Sequence, residues 1–146
     1  MRRSPSIKHF SLRVMVSLLV VAVLAMGSSA GASEQITIET LLSWNATSFQ
    51  RHLVTVEGVV SAMIALPPTA NTRCRVLYGR AAFMIDDETG ILPVEILGNC
   101  NPNAYDELPQ DGDRVRVTGI VEVMSTNPPR QVRIQAMNIH ILSPAY

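Results

Sequence analysis

Lysine is almost missing from this chain: Lys8 is the only one among 146 residues. From Ser33 onward eight arginines stand against twelve carboxylates, a formal charge of 8 − 12 = −4 over that stretch. Phosphate neutralisation supplies most non-specific affinity for nucleic acid, so this balance works against a general nucleic-acid coat. Catalytic constellations are missing as well. His52 and His140 fall on distant segments and His9 sits near the N-terminus. No serine lies in a nucleophile elbow, and no glycine-rich loop is spaced to cradle a phosphate. The expectation is a protein that is not an enzyme and holds no cofactor. Cysteine is scarce, with only Cys74 and Cys100, which lack the Cys-x-x-Cys spacing of redox proteins and a nearby histidine pair to complete a metal site. Internal repeats, low-complexity tracts and a second domain are absent too.

What is present begins with Arg2, Arg3, Lys8 and Arg13, followed by an apolar run over residues 14–26 broken only by Ser17. A helix needs about 20 apolar residues to cross a bilayer, so this run is too short. Gly27-Ser28-Ser29-Ala30-Gly31-Ala32 follows at once, which gives the layout of a secretory signal peptide with a small-x-small cleavage site at Ala30-Gly31-Ala32. The expected division is therefore a signal peptide over residues 1–32 and a single mature domain over residues 33–146. That product meets a membrane only through its leader before cleavage, and is expected to be periplasmic or secreted. Its 114 residues suffice for one domain with a real core.

The centre of that domain reads as a β-hairpin. Ala81, Phe83 and Ile85 alternate with Ala82, Met84 and Asp86, Asp87-Glu88-Thr89-Gly90 interrupts, and Leu92, Val94 and Ile96 resume the alternation. Asp suits the start of such a turn and Gly90 suits a positive φ within it. Asp86, Asp87 and Glu88 offer oxygen ligands of the kind Ca²⁺ takes. Aspartates also favour turns for their own backbone hydrogen bonds, so the turn is read as solvated and no metal is expected. Before the hairpin, residues 52–62 alternate with Val54, Val56, Val60 and Ala62 inward, and Gly58 within that row permits a sharp bend. Pro67 and Pro68 put residues 66–72 in a loop, with the next strand running from about Arg73.

Upstream, Thr37 is placed to cap a short helix carrying Leu41 and Leu42, with Trp44 and Phe49 in the core, while Ile36 and Ile38 equally suit a strand; the helix is the favoured reading. Asn45-Ala46-Thr47 matches the glycosylation sequon, which matters only in a host that glycosylates. Downstream, Asn101-Pro102 reads as a helix start and Pro109 as its end. Residues 114–123 alternate with Val115, Val117, Val121 and Val123 inward, and Gly119 repeats the bend of Gly58. In the last strand Val132, Ile134 and Ala136 share one face and Met137, Ile139 and Ile141 the other, a phase slip that demands a bulge near Ala136.

Three strands, a helix and two strands, with glycine bends in the first and fourth, form the layout of a five-stranded Greek-key barrel. Val54-Thr55-Val56-Glu57-Gly58-Val59-Val60, Phe83-Met84-Ile85-Asp86-Asp87-Glu88-Thr89-Gly90 and Gly112-Asp113-Arg114-Val115-Arg116-Val117-Thr118-Gly119 resemble segments shared by anticodon-binding-type OB-fold domains and small exported bacterial OB-fold proteins. The resemblance covers about residues 51–142. It implies an all-β OB-fold barrel of small helical content, with one helix between strands three and four and a short N-terminal helix. One barrel hosts unrelated ligands, so binding is implied without a ligand being named. Haem-carrying exported members present a histidine followed by a tyrosine near the C-terminus. Here His140 is followed by Ile141-Leu142-Ser143-Pro144-Ala145-Tyr146, and no haem is expected.

An OB barrel binds around its second and third strands and the adjacent loops. With Phe83 and Ile85 inward, the second strand turns Val76, Tyr78, Arg80, Ala82 and Met84 outward. The third turns out Ile91, Pro93, Glu95 and Leu97, and the first Thr55 and Glu57. The candidate ligand-binding residues are Arg73, Arg75, Tyr78, Arg80 and Glu95, with Tyr78 and Arg80 able to stack on a base or sugar and Arg73 and Arg75 as anion partners. The competing role for Arg80 is a cross-strand pair with Glu95 or Glu57. The expected function is an exported, non-enzymatic binding module for a small molecule, peptide, glycan or protein partner. The alternative is a single-stranded nucleic-acid binder, which the negative charge disfavours. Finally, an even pair of cysteines in an exported chain predicts a Cys74–Cys100 disulfide. Residues facing each other across the hairpin have numbers summing to about 177, as Phe83 and Val94 do, whereas the cysteines sum to 174. A bulge at Gly79 or Gly98 is expected to bring them together.

Overall fold

The computed structural model describes residues 33–125, 127 and 129–146; the leader read in residues 1–32, with its cleavage site, lies outside them. In chain order the elements are β1 (Glu34–Gln35), α1 (Ile38–Leu42), a 3-10 turn (Ala46–Phe49), β2 (Leu53–Ala65), β3 (Thr69–Asn71), β4 (Arg75–Leu77), β5 (Ala81–Asp86), β6 (Ile91–Ile96), a 3-10 helix (Pro102–Glu107), β7 (Arg114–Ser125) and β8 (Gln131–Ser143). Five of the strands close a barrel in the neighbour order β2-β5-β6-β8-β7, with β7 returning to β2. Every contact in that ring is antiparallel except β6 with β8. The alternating valines dictate it. Val54, Val56, Val60, Phe83, Ile85, Leu92, Val94, Val115, Val117, Val121, Val132 and Ile134 point inward and are buried together.

Gly58 makes closure possible. β2 pairs with β7 over residues 53–59 and with β5 over residues 59–65, so it turns from one neighbour to the other at this point. A Cβ on Gly58 would stand 2.8 Å from Ile85 Cγ1 and press into the Asp86 carbonyl. The ladders of the ring also contain register shifts, one between β2 and β5 and three between β7 and β8, of which two bear on the sequence pattern. In β2 the register shifts between Ser61 and Ile64, where Ala62 takes a φ of 51° and turns to solvent, contrary to its inward place in the sequence pattern. In β8 Thr118 faces Asn138 and Gly119 faces Ala136, so Met137 is the extra residue and stands exposed. The slip near Ala136 is thus where the pattern put it. Its effect is to return Ile139 to the core side, against which it packs, rather than to leave it on the opposite face with Met137.

α1 closes one end of the barrel through the buried Ile38 and Leu41. Thr37 occupies the cap position, but its hydroxyl meets Thr40 Oγ1 instead of a backbone N–H. The cap comes from the β5–β6 turn: Ile38 N donates to Asp87 Oδ2 at 2.8 Å and Glu39 N donates to Thr89 Oγ1 at 3.0 Å. In that turn Glu88, not Gly90, takes the positive φ, of 69°. Gly90 is needed for a different reason, because a Cβ there would lie 2.9 Å from Ile38 Cγ2. Trp44 is 81% exposed, contrary to its expected place in the core. The helix is only five residues long, and the chain leaves the barrel end at Ser43 before the indole can reach it. Phe49 does pack partly buried against the core.

The connections differ from the sequence pattern at two places. The loop expected over residues 66–72 contains β3, which pairs with β4 in a separate two-stranded sheet. The strand expected to run from Arg73 is broken after Leu77, with Gly79 at a φ of 66° before β5 begins. Between β6 and β7 the expected helix is present in 3-10 form, with Pro102 in its first turn and Asn101 Oδ1 accepting from Asn103 N at 3.0 Å. Among the described residues no helix is long and apolar enough to cross a membrane.

Candidate ligand-binding face

The candidate residues gather where the β2–β5 connection meets the end of the central hairpin. Tyr78 and Asn99 exchange two backbone hydrogen bonds, of 2.8 and 2.9 Å, and their numbers sum to 177. The hairpin register therefore runs on unshifted past Gly79 and Gly98, and neither glycine supplies the expected bulge. The offset arises at Arg75 instead, whose φ is 67° and around which Val76 N donates to the Cys74 carbonyl at 2.8 Å. This positive-φ γ-turn folds Cys74 back towards the body. It places Cys74 and Cys100 in a disulfide, with Cα atoms 5.8 Å apart. The pairing expected from the sequence is present.

The β3–β4 hairpin carries the charge. Arg73 N donates to Asn71 Oδ1 at 2.7 Å across its tip, and Arg73 and Arg75 are exposed. Arg80 runs along Gly98, where a Cβ would sit 2.7 Å from Arg80 Cγ, and its guanidinium donates to Thr69 Oγ1 on β3. Cross-strand partners share a face, so Thr69 and Arg75 line the same side of the hairpin. Arg75 and the Arg80 guanidinium thus border one surface, with Tyr78 at its base.

Neither carboxylate expected to hold Arg80 does so. Arg116 binds Glu57 at 2.7 Å. Arg133 bridges two strands, meeting Glu95 at 2.7 Å and Glu122 at 2.6 Å. The hydrogen bond to Glu122 and the charges of both glutamates outweigh desolvation and hold the Arg133 guanidinium protonated above its ordinary range. Glu95 thereby becomes part of a structural pair rather than a free group on the face. Arg116 and Arg133 were legible in the sequence only as members of strands; Arg116 meets Glu57 through the β2–β7 register, whereas Arg133 meets Glu122 through the β7–β8 register beyond its bulge at Met137. Thr55, expected on the outer face, is buried between Ser33 Oγ at 2.5 Å and Thr118 Oγ1 at 2.8 Å.

Outward on β5 and β6 stand Ala82, Met84, Ile91 and Pro93. Beside the Tyr78–Asn99 bridge a groove of about 270 Å³ opens among Gly79, Leu97, Gly98, Ala104, Glu107 and Met137. The acidic turn is spoken for: Asp86 Oδ1 accepts from Glu88 N, and both Asp87 oxygens accept backbone N–H groups. Among the described residues no group of three or more His, Cys, Asp or Glu is arranged to hold a metal ion.

No family model matches the sequence, and no curated protein matches it. Solved structures match its fold. A protein of Leishmania major Friedlin assigned as an aspartyl-tRNA synthetase superposes with a TM-score of 0.57 at 13% identity, over 91% of this chain and 27% of the other. The aspartyl-tRNA synthetase of Entamoeba histolytica gives 0.56 at 14% identity, over 80% of this chain and 23% of the other. The chain thus spans about a quarter of the length of these synthetases. An OBody bound to hen egg-white lysozyme is covered completely, with a TM-score of 0.52 at 20% identity over 78% of this chain. The closed five-stranded barrel, its strand order and these likenesses agree: the chain is an all-β OB-fold domain.

Proposed function

We propose that the chain is an exported, non-enzymatic binding module whose ligand docks on the β3–β4 hairpin and the adjoining outer face of β5 and β6. The observation that carries this reading is the division of charges. Glu57 and Glu95 are occupied by Arg116 and Arg133, whereas Arg73, Arg75 and Arg80 form no ion pair among the described residues. Arg73 and Arg75 belong to a hairpin that the barrel's own sheet does not include, and Tyr78 and Arg80 follow it in the link to β5. Export is supported by the leader-like residues 1–32 and by a disulfide of the sort that persists in oxidising compartments. Against an enzyme stands the separation of the two histidines. His52 lies beside Val121 on β7 and His140 beside Arg116, five residues or about 17 Å apart along the strand.

Single-stranded nucleic acid is the second reading, favoured by the same unpaired arginines and opposed by the charge of 8 − 12 = −4 over residues 33–146. A thermal-shift screen of small molecules, peptides, glycans and oligonucleotides, run on the protein and on an R75A/Y78A variant, tests both. A ligand that raises the midpoint of the protein and not of the variant is the expected result, with oligonucleotides ineffective at physiological salt. Ligands that act equally on both would remove the face from consideration.

A further inference from the structure

We infer that the Cys74–Cys100 disulfide sets the affinity of an acidic-glycan site on the β3–β4 hairpin, which binds in the oxidised form and releases on reduction. The inference rests on the binding role proposed for this face. The hairpin pairs only within itself, through Thr69–Leu77, Ala70–Val76 and Asn71–Arg75, and lies outside the barrel sheet. A two-stranded hairpin is marginal in water by itself. Its non-covalent ties lie at the base: Leu66 N to the Arg80 carbonyl, the Arg80 guanidinium to Thr69 Oγ1, the Tyr78–Asn99 bridge, and Tyr105 Oη to the Leu66 carbonyl at 2.7 Å. The covalent tie lies further out. Cys74 sits between Arg73 and Arg75, so one bond fixes the backbone of both cations, including the positive φ of Arg75. Such a conformation persists only where its surroundings enforce it.

The class of ligand follows from the side chains. Arginine forks match carboxylate and sulfate groups in bidentate fashion. Nucleic-acid channels stack successive bases on several aromatic rings. Here Tyr105 is held by its hydroxyl on the Leu66 carbonyl, which leaves Tyr78 as the ring of the candidate set, and the outer rows of β5 and β6 offer Ala82, Met84, Ile91 and Pro93 instead. One ring beside three guanidinium groups suits one sugar face beside acidic substituents. Cys100 is exposed and Cys74 half-buried, so a small dithiol has access to the bond. That dithiol supplies two electrons and two protons: the S–S bond breaks, each cysteine becomes a thiol, and the reductant closes to its own disulfide. The released hairpin must then be ordered again by every ligand it binds, which weakens binding.

Calorimetric titration of the oxidised protein with a sulfated dextran oligosaccharide and with oligogalacturonate tests the inference. Binding of at least one is expected, weakened about tenfold or more in Arg73→Ala and Arg75→Ala. A similar loss, about tenfold, is expected after dithiothreitol treatment and in the C74S/C100S variant, with the far-UV circular dichroism of the barrel retained. Should that variant fail to fold, Tyr105→Phe keeps the disulfide while removing a non-covalent tie. It must then bind within about twofold of the parent, because the covalent link is what orders the arginines. A tenfold loss in Tyr105→Phe would overturn the inference. Arginine-dependent binding indifferent to reduction would overturn the redox dependence and leave the binding face standing. Arginine-dependent binding of polyglutamate or an oligonucleotide, with neither sugar bound, would overturn the glycan class alone. Failure of every acidic probe would overturn the whole inference, whereas the proposed function falls only if the wider ligand screen is also empty or yields ligands that act equally on the R75A/Y78A variant.

Discussion

Arg133 decides what charge the outer face presents. By bridging Glu95 and Glu122 it removes one carboxylate from the neighbourhood of the hairpin arginines. Arg133→Ala should therefore weaken any anionic ligand, because Glu95 is released towards the face. The pair is part-exposed and screened, so the loss in stability should be only about 0.5–1 kcal/mol, measured by urea unfolding. Gly58 is sensitive in another way. In Gly58→Ala the added methyl meets Ile85 Cγ1 at 2.8 Å and the Asp86 backbone, which has no room to yield inside a paired ladder. A loss of about 2–3 kcal/mol is expected, visible as a lowered denaturation midpoint with an unchanged urea slope.

At the scale of elements, the β5–β6 turn and α1 stand or fall together, because Asp87 caps the helix across 49 residues of sequence. Burial pushes the Asp87 carboxyl up. Hydrogen bonds from the Thr89 hydroxyl and the backbone N–H groups of Ile38, Thr89 and Gly90 outweigh it and hold the group below its ordinary value of 3.8. A depressed carboxylate contributes stability that is full above that ordinary value and is lost as pH falls through the lower folded-state value. Asp87→Ala should cost about 2 kcal/mol near neutrality and progressively less below pH about 4, in urea midpoints followed against pH. Equal losses at pH 3 and pH 7 would contradict the capping role. The disulfide acts on the central hairpin in the same cooperative sense. Opening a loop closed over 26 residues of sequence separation should cost about 3.5 kcal/mol in the C74S/C100S variant.

Which elements were legible in the sequence follows from which faces they bury. β2, β5, β6, β7 and β8 each bury one face in a common core, so their valines and isoleucines alternate and betray them. β3 and β4 bury little, and Thr69, Ala70 and Arg75 have no reason to alternate. Trp44 misleads because hydrophobicity favours burial only where the backbone carries a residue to the core, and α1 ends two residues too early. Gly90 misleads in the same way, because it is required by the lack of space beside Ile38, while the positive φ of the turn falls on Glu88. The candidate arginines were readable as residues. Their freedom was not, since the partners of Glu57 and Glu95 lie on β7 and β8.

For the molecule as a whole, the scarcity of lysine leaves arginine as the cation of residues 33–146, and the fold separates its arginines by role. Arg116 and Arg133 are tied into the barrel wall, while Arg73 and Arg75 lie on an outlying hairpin held by a disulfide and Arg80 reaches that hairpin through Thr69. Arg51, Arg114 and Arg130 likewise form no ion pair among the described residues and lie on other segments, so the proposed anion site is a local cluster and not a field of the whole domain. The most direct test is an amide chemical-shift map of the oxidised protein during titration with a sulfated dextran oligosaccharide. The account predicts that the largest changes fall on residues 69–80 and 97–100, with Ile38, Leu41 and Trp44 at the helical end unmoved. Shifts centred on α1 or on Arg114 and Arg116, or no shifts at saturating oligosaccharide, would contradict it.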